Sequence, residues 1–296
     1  MSKTILCPLV VMGAVATQTA GGASSAESWI VFSARPEGSG AGQLFRIQPT
    51  GDGIEQITKG KLSATAPAFS PNGNRIVFTR LGSGIFVMNL DGSGVRRLTS
   101  GKRDTFPVWS RDGKHIAFLR PYRRAWSLFV MSPSGTKLRR LPKAPPAGRP
   151  TWTPDGKAML MAAAGDLVKI DSRTGKVLTY YGLSLDLQTA AQSATLSPNR
   201  KKVAWVGPRV STGPDDCGEG PCPQFGLYLA NVPKPHAARR IVNDTGPAGW
   251  SPDGKRLVFV YQGALTLYSI ASKAKTAILT GTHVALADSP PAWQPR

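Results

Sequence analysis

A chain of 296 residues, 41% of them hydrophobic, carries enough apolar side chains for a sizeable core, and its 32 Gly and 25 Pro suit a turn-dense fold and exclude disorder. Lys plus Arg exceed Asp plus Glu by 37 − 17 = 20, an excess that favours anionic partners. No helix-turn-helix, zinc-finger or stacking-aromatic pattern accompanies the charge, so nucleic acid is not an expected partner.

Residues 1–26 read as an export signal: Lys3 supplies a minimal positive region, Ile5 to Ala16 is apolar, and cleavage can follow Ala16 or Ala26. A single Lys and the internal Pro8 leave a structureless N-terminus as the alternative. The apolar stretch is too short to span a membrane comfortably. Cys7 lacks the small-residue run that precedes a lipidated cysteine, so no lipid anchor is expected.

From Trp29 onward the chain repeats itself. After a first β-rich run, Trp29 to Ser33, comes the phrase Pro67-Ala68-Phe69-Ser70-Pro71-Asn72-Gly73, which returns from Pro107, Pro150 and Pro247, more weakly from Ala194, and truncated at Pro291 to Pro295. The anchors Phe69, Trp109, Trp152, Leu196, Trp250 and Trp293 are 40, 43, 44, 54 and 43 residues apart, a period that holds four short strands. Most phrases close on an Asp-Gly or Asn-Gly turn and lead into a β-rich run such as Arg75 to Thr79, His115 to Leu119 or Arg256 to Tyr261. A second hairpin follows in each repeat, as in Gly84 to Thr99. These signals predict an all-β fold, a six-bladed β-propeller over residues 27–296, closed by pairing of the C-terminal Pro291 to Pro295 strand with Trp29 to Ser33.

The P-x-W-S-P-D-G-x-x-I-x-F phrase, followed by an L-F-V-M-x-x-D-G-type hairpin ending in R-R-L-T, resembles the WD-like repeat of TolB-type propellers. The resemblance covers roughly residues 28 to 296. Similar blades occur in periplasmic scaffold proteins, in the propeller domains of prolyl oligopeptidase-like peptidases and in some polysaccharide lyases. The sequence leaves no room for the separate N-terminal α/β domain of TolB itself, so partners that dock through that domain are not carried over.

Within the longest interval, Cys217 and Cys222 flank a short loop and are expected to form a disulfide, in keeping with export. The alternative, a metal held with Asp215, Asp216 and Glu219, mixes soft and hard ligands without a histidine. No metal and no other cofactor is assigned.

In a four-stranded blade both hairpin turns lie on one face of the disk, and the remaining loops lie on the other. Arg35, Arg80, Arg120, Arg123, Arg124, Arg149 and Arg209 fall on that second, loop face. Arg80 and Arg120 each end the second strand of their blade, and a guanidinium forks naturally onto carboxylate, sulfate or phosphate. Asp104, Asp244 and Asp288 each stand three residues ahead of an anchor proline. Two readings stay open: these acids pair with the arginines or loop backbone, or Arg80, Arg120, Arg149, Asp104, Asp244 and Asp288 form a mixed-charge mouth that binds a ligand or partner loop. The overall excess of charge likewise admits a solvated, compositionally biased surface. Asp91, Asp112, Asp155 and Asp253 are turn residues, and the tryptophan anchors are blade packing.

Catalysis has little to stand on. There is no G-x-S-x-G elbow. Of His115, His236 and His283, only His283 has carboxylates to converge with, Asp244 and Asp288. The expectation is therefore a monomeric, exported, non-catalytic binding or scaffold propeller, periplasmic, envelope-associated or extracellular, whose partner is an envelope protein or anionic polymer. A propeller-type lyase or hydrolase acting on an acidic glycan is the alternative.

Overall fold

The computed structural model describes residues 28–36, 38–123, 125–145, 148–163, 166–181, 193–199, 201–208, 225–232, 238–243, 245–280, 284–286 and 289–295. These form six antiparallel sheets, each a blade of an all-β propeller. From the channel outward, blade 2 comprises Ala64–Phe69, Arg75–Arg80, Gly84–Asn89 and Arg96–Arg97; blade 3 comprises Thr105–Trp109, Ile116–Tyr122, Ala125–Met131 and Arg139–Arg140. Blade 4 runs Thr151–Trp152, Ala158–Ala163, Asp166–Asp171 and Val177–Tyr180; blade 5 runs Ser193–Leu196, Lys202–Pro208, Phe225–Asn231 and Arg239–Asn243. Blade 6 is Gly249–Trp250, Arg256–Tyr261, Ala264–Ser269 and Lys275–Leu279.

Blade 1 is assembled from both ends of the chain. Ile30–Pro36, Gln43–Ile47 and Glu55–Gln56 give its outer three strands, and Val284–Leu286 and Ala292–Trp293 pair with the first of these from the channel side. Ile30 lies opposite Trp293, the Gln294 backbone N–H donates to the Trp29 carbonyl at 2.8 Å, and Trp293 Nε1 donates to Ser28 Oγ at 2.6 Å.

The second strand of every blade is buried on both faces, so it reads as a continuous apolar run instead of an alternation. Ile30 and Phe32 pack against Val258, Leu265 and Leu267 of blade 6, while the intervening Val31 packs against Ile76 and Phe78 of blade 2. One hydrophobic cluster fills each gap between neighbouring blades, blade 6 against blade 1 included. Anchor tryptophans reach across these gaps: Trp152 Nε1 donates to the Val108 carbonyl at 3.2 Å and Trp250 Nε1 to the Thr195 carbonyl at 3.1 Å.

The repeated phrase owes its residue types to one turn. Ser110 Oγ donates to Asp112 Oδ1 at 2.6 Å, accepts from the His115 N–H at 2.9 Å, and Asp112 Oδ1 also accepts from the Lys114 N–H at 3.0 Å. The same network forms around Ser70/Asn72, Thr153/Asp155, Ser197/Asn199 and Ser251/Asp253. Gly113 follows at φ +69°, where a side chain is disfavoured. The hydrogen bond from Ser110 holds Asp112 below the ordinary aspartate pKa, with the Lys114 N–H adding to it against a smaller opposing desolvation. A carboxylate with a depressed folded pKa stabilises above its unfolded pKa and loses that contribution as pH falls through the folded value. Asp112→Ala is expected to lower stability by about 1 kcal/mol at neutral pH. Urea titrations of both proteins should show the gap closing as pH drops below the ordinary aspartate range.

Three arginines fasten neighbouring blades together. Arg96 in blade 2 donates to the Ser134 carbonyl of blade 3 at 2.9 Å, and Arg139 in blade 3 to the Arg173 carbonyl of blade 4 at 2.7 Å. Arg239 in blade 5 donates to Tyr268 Oη of blade 6 at 2.6 Å. Each cation thus caps a polar group of the next blade along the ring.

Candidate functional site

The six anchor phrases enclose a central channel of about 570 Å³. Its wall is built mainly from prolines and aromatic rings, among them Pro67, Phe69, Trp109, Trp152, Trp250 and Trp293. Those residues lie where the inner strands cannot pair fully: prolines lack an N–H, and the ladder shifts register between Thr65 and Ala68 and between Thr105 and Val108. Phe106, at one of these shifts, sits at φ +52°.

On the loop face the expected arginines separate into three kinds. Arg120 is engaged: its Nε and Nη2 donate to the two oxygens of Asp104 at 2.6 and 2.7 Å. Asp104 is buried, also accepts from Thr99 Oγ1, and raises the pKa of Arg120 through that hydrogen bond, against desolvation. The guanidinium lies over Phe118 and Phe129, 5.3 and 5.1 Å from their ring centres. Of the two readings open for this pair, mutual satisfaction is the one observed.

Arg80 occupies the matching place in blade 2, over Phe78 and Phe86 at 5.9 and 5.5 Å. Its cross-strand partner is Ala64. The Thr58 hydroxyl, counterpart of Thr99, turns instead to Gln43 Oε1 at 2.8 Å. Arg80 is left with one contact of 3.3 Å to the Lys59 carbonyl and a buried Nε without a hydrogen-bond partner.

Arg149 is 9% exposed and lines the channel itself. Its Nη1 is buried without a hydrogen-bond partner, its guanidinium carbon stands 5.0 Å from the centre of the Phe106 ring, and burial pushes its pKa down to about 9. Asp244, Asp288, Arg124, Arg209, His236, His283, Cys217, Cys222 and the residues of the expected signal lie outside the described residues. Arg35 and Arg123 are exposed, and His115, on the opposite face, stacks with Trp152 at 6.2 Å.

The loop-face rim also carries apolar side chains that sequence reasoning missed. In blade 3 the second and third strands continue past Arg120 through the pairs Pro121↔Trp126 and Tyr122↔Ala125, whereas in blade 2 pairing stops at Arg80↔Gly84. That extension holds Tyr122 and Trp126 out in solvent, and Leu62 and Leu81 are exposed on the same rim of blade 2. Arg103 sits 5.8 Å from the Trp126 ring centre and Arg140 4.4 Å from that of Tyr122. The sequence signal was the longer connection, six residues between Arg120 and its partner Ser127 against three between Arg80 and Gly84. Among the described residues no group of three or more His, Cys, Asp or Glu is placed to hold a metal, and no helix is long and apolar enough to cross a membrane.

Six blades around a channel lined mainly by prolines and aromatic rings, with arginines and exposed aromatic side chains on one face, define a six-bladed β-propeller. The sequence model of the TolB beta propeller domain matches residues 44–210, and the chain belongs to that family. It is 29% identical over 107 residues to an uncharacterized protein of Agrobacterium fabrum, covering 31% of this chain and 36% of that one. To the Tol-Pal system protein TolB of Gluconobacter oxydans it is 45% identical over 58 residues, covering 19% of this chain and 13% of that one. These relatives are thus matched over little more than a third of their own length or less. The crystal structure of TolB from Acinetobacter baumannii superposes with a TM-score of 0.72 at 19% identity, covering 91% of this chain and 67% of that one. That likeness concerns the fold.

Proposed function

We propose that this chain is an exported, non-catalytic propeller of the cell envelope that holds an acidic protein partner on the loop-face rim of blades 2 and 3. The observation that carries the reading is Arg80, a guanidinium without a carboxylate partner among the described residues, although the next blade supplies one to its counterpart. The same loop-face rim of blades 2 and 3 carries Leu62, Leu81, Tyr122 and Trp126, exposed apolar and aromatic side chains, with Arg103 and Arg140 by the two aromatics. Aromatic residues with arginine are the composition of interface centres, where they dominate binding energy. A partner carboxylate at Arg80 would take the place that Asp104 takes at Arg120. The likeness to a Tol-Pal system protein supports an envelope address. Signal removal near residue 26 and an oxidised Cys217–Cys222 loop belong to the same reading.

The test is capture from solubilised envelope at low and moderate salt, identification of the retained protein, and titration of that purified protein against wild type, Arg80→Glu and Trp126→Ala. The expected result is a discrete acidic protein whose affinity falls tenfold or more in each variant. Indiscriminate retention of anionic polymers, equal in wild type and Arg80→Glu, would show that the charge acts generically and that the rim is no site.

A further inference from the structure

Six residues stand immediately ahead of the anchor phrases: Ala66, Phe106, Arg149, Ser193, Gly246 and Pro290. Five are uncharged, so the blade geometry does not require a cation here. The sixth places a guanidinium, 9% exposed, in the wall of an otherwise proline- and tryptophan-rich channel, with Nη1 lacking any partner. Among the described residues no carboxylate contributes to its electrostatic surroundings, and desolvation is what shifts it. Arginine does not escape such a setting by shedding its proton at neutral pH. A buried cation without an anion is a vacancy in electrostatic terms; the rest of the lining is mostly prolines, small apolar residues and aromatic rings, with Ser110, Thr151, Thr195, Ser197 and the exposed Arg111 and Asp253 among them.

We infer that the central channel binds an apolar monocarboxylate, whose carboxylate pairs with Arg149 while its hydrocarbon body lies among the rings and prolines of the anchor phrases. The cavity of about 570 Å³ falls in the range that encloses small organic ligands. Charge number follows from Arg149, the one buried guanidinium of the described lining, whereas the lining's other arginine, Arg111, is exposed. Carboxylate is the matching head group because the planar fork accepts it through two parallel hydrogen bonds. This inference goes beyond the rim reading: it concerns a small molecule inside the ring, and Arg80 takes no part in it.

The test compares 4-phenylbutyrate with 4-phenyl-1-butanol, the same body with and without the charge, on the purified protein. Tryptophan fluorescence is a built-in reporter, as Trp109, Trp152, Trp250 and Trp293 line the cavity. Wild type is expected to bind the acid about tenfold or more tightly than the alcohol. Arg149→Met should bind both as wild type binds the alcohol, Arg149→Lys should keep part of the preference, and Arg80→Gln should keep all of it. Equal affinities in wild type, no binding of either compound, or a preference that survives in Arg149→Met overturns the inference. The comparison within wild type stands even where a variant fails to fold, and loss of envelope-partner binding in Arg80→Glu leaves it untouched.

Discussion

Asp104→Ala is expected to lower the stability of the propeller by about 2–3 kcal/mol, a fall of roughly 5–10 °C in melting midpoint for a domain of this size. The Asp104 side chain is fully buried, and its removal strips partners from Arg120 Nε, Arg120 Nη2 and Thr99 Oγ1 together. Loss of one member of a fully buried ion pair typically costs about 3–5 kcal/mol. Arg120 is 24% exposed at its side chain, so part of its charge can turn to water, which sets the lower figure. Blade 2 shows the end state, with Arg80 opposite Ala64 and still resting on two phenylalanine rings. The double variant Asp104→Ala/Arg120→Met should recover most of the loss, because only the Thr99 hydroxyl proton then lacks its acceptor, the oxygen still accepting from the Ile85 N–H. Guanidinium unfolding of the four proteins of this cycle measures the coupling. A loss below about 0.5 kcal/mol for Asp104→Ala would mean that the pair holds nothing together.

The architecture was legible in the chain because the chemistry that builds it is local and repeated. Ser110, Asp112 and Gly113 form their turn from within six residues, and four further copies repeat the network, so the phrase announces a blade wherever it occurs. The site was legible only in part. Arg80 and Arg120 look alike in sequence and end equivalent strands, yet one is neutralised and the other is not. That difference depends on what lies across the strand pair, Ala64 or the residue at position 104, and the repeat alignment held it in plain view. Tyr122 and Trp126 depended on how far a hairpin continues, a matter of two extra backbone pairs that no turn residue marks. The sequence places Arg149 on the loop face. Its burial in the channel wall follows from the closing of the ring, to which every blade contributes and which no segment encodes alone.

Arg149→Met is expected to stabilise the ligand-free protein by about 1–3 kcal/mol, against the usual direction of a substitution at a buried position. Methionine keeps an unbranched apolar stem against Phe106 and removes the unpaired charge; the lost cation–π contact, about 0.5–2 kcal/mol, offsets part of the gain. The pH dependence has a definite sign. Burial pushes the pKa of Arg149 down to about 9 in the folded state, well below its ordinary value in the unfolded chain, so the folded form is penalised while the group is charged. That penalty is full below about 9 and fades as pH rises from there toward the ordinary arginine range, because the unfolded chain then binds a proton that the folded chain has released. The stability gap between Arg149→Met and wild type should therefore be widest at neutral pH and narrower at pH ~10, as read by urea unfolding at the two values. A saturating apolar carboxylate should close the same gap at neutral pH by raising wild type alone, since ligand binding to the native state adds its free energy to folding. A less stable Arg149→Met would assign the guanidinium to the fold, as a cation that the ring itself needs, and would remove the energetic reason for an anion in the channel.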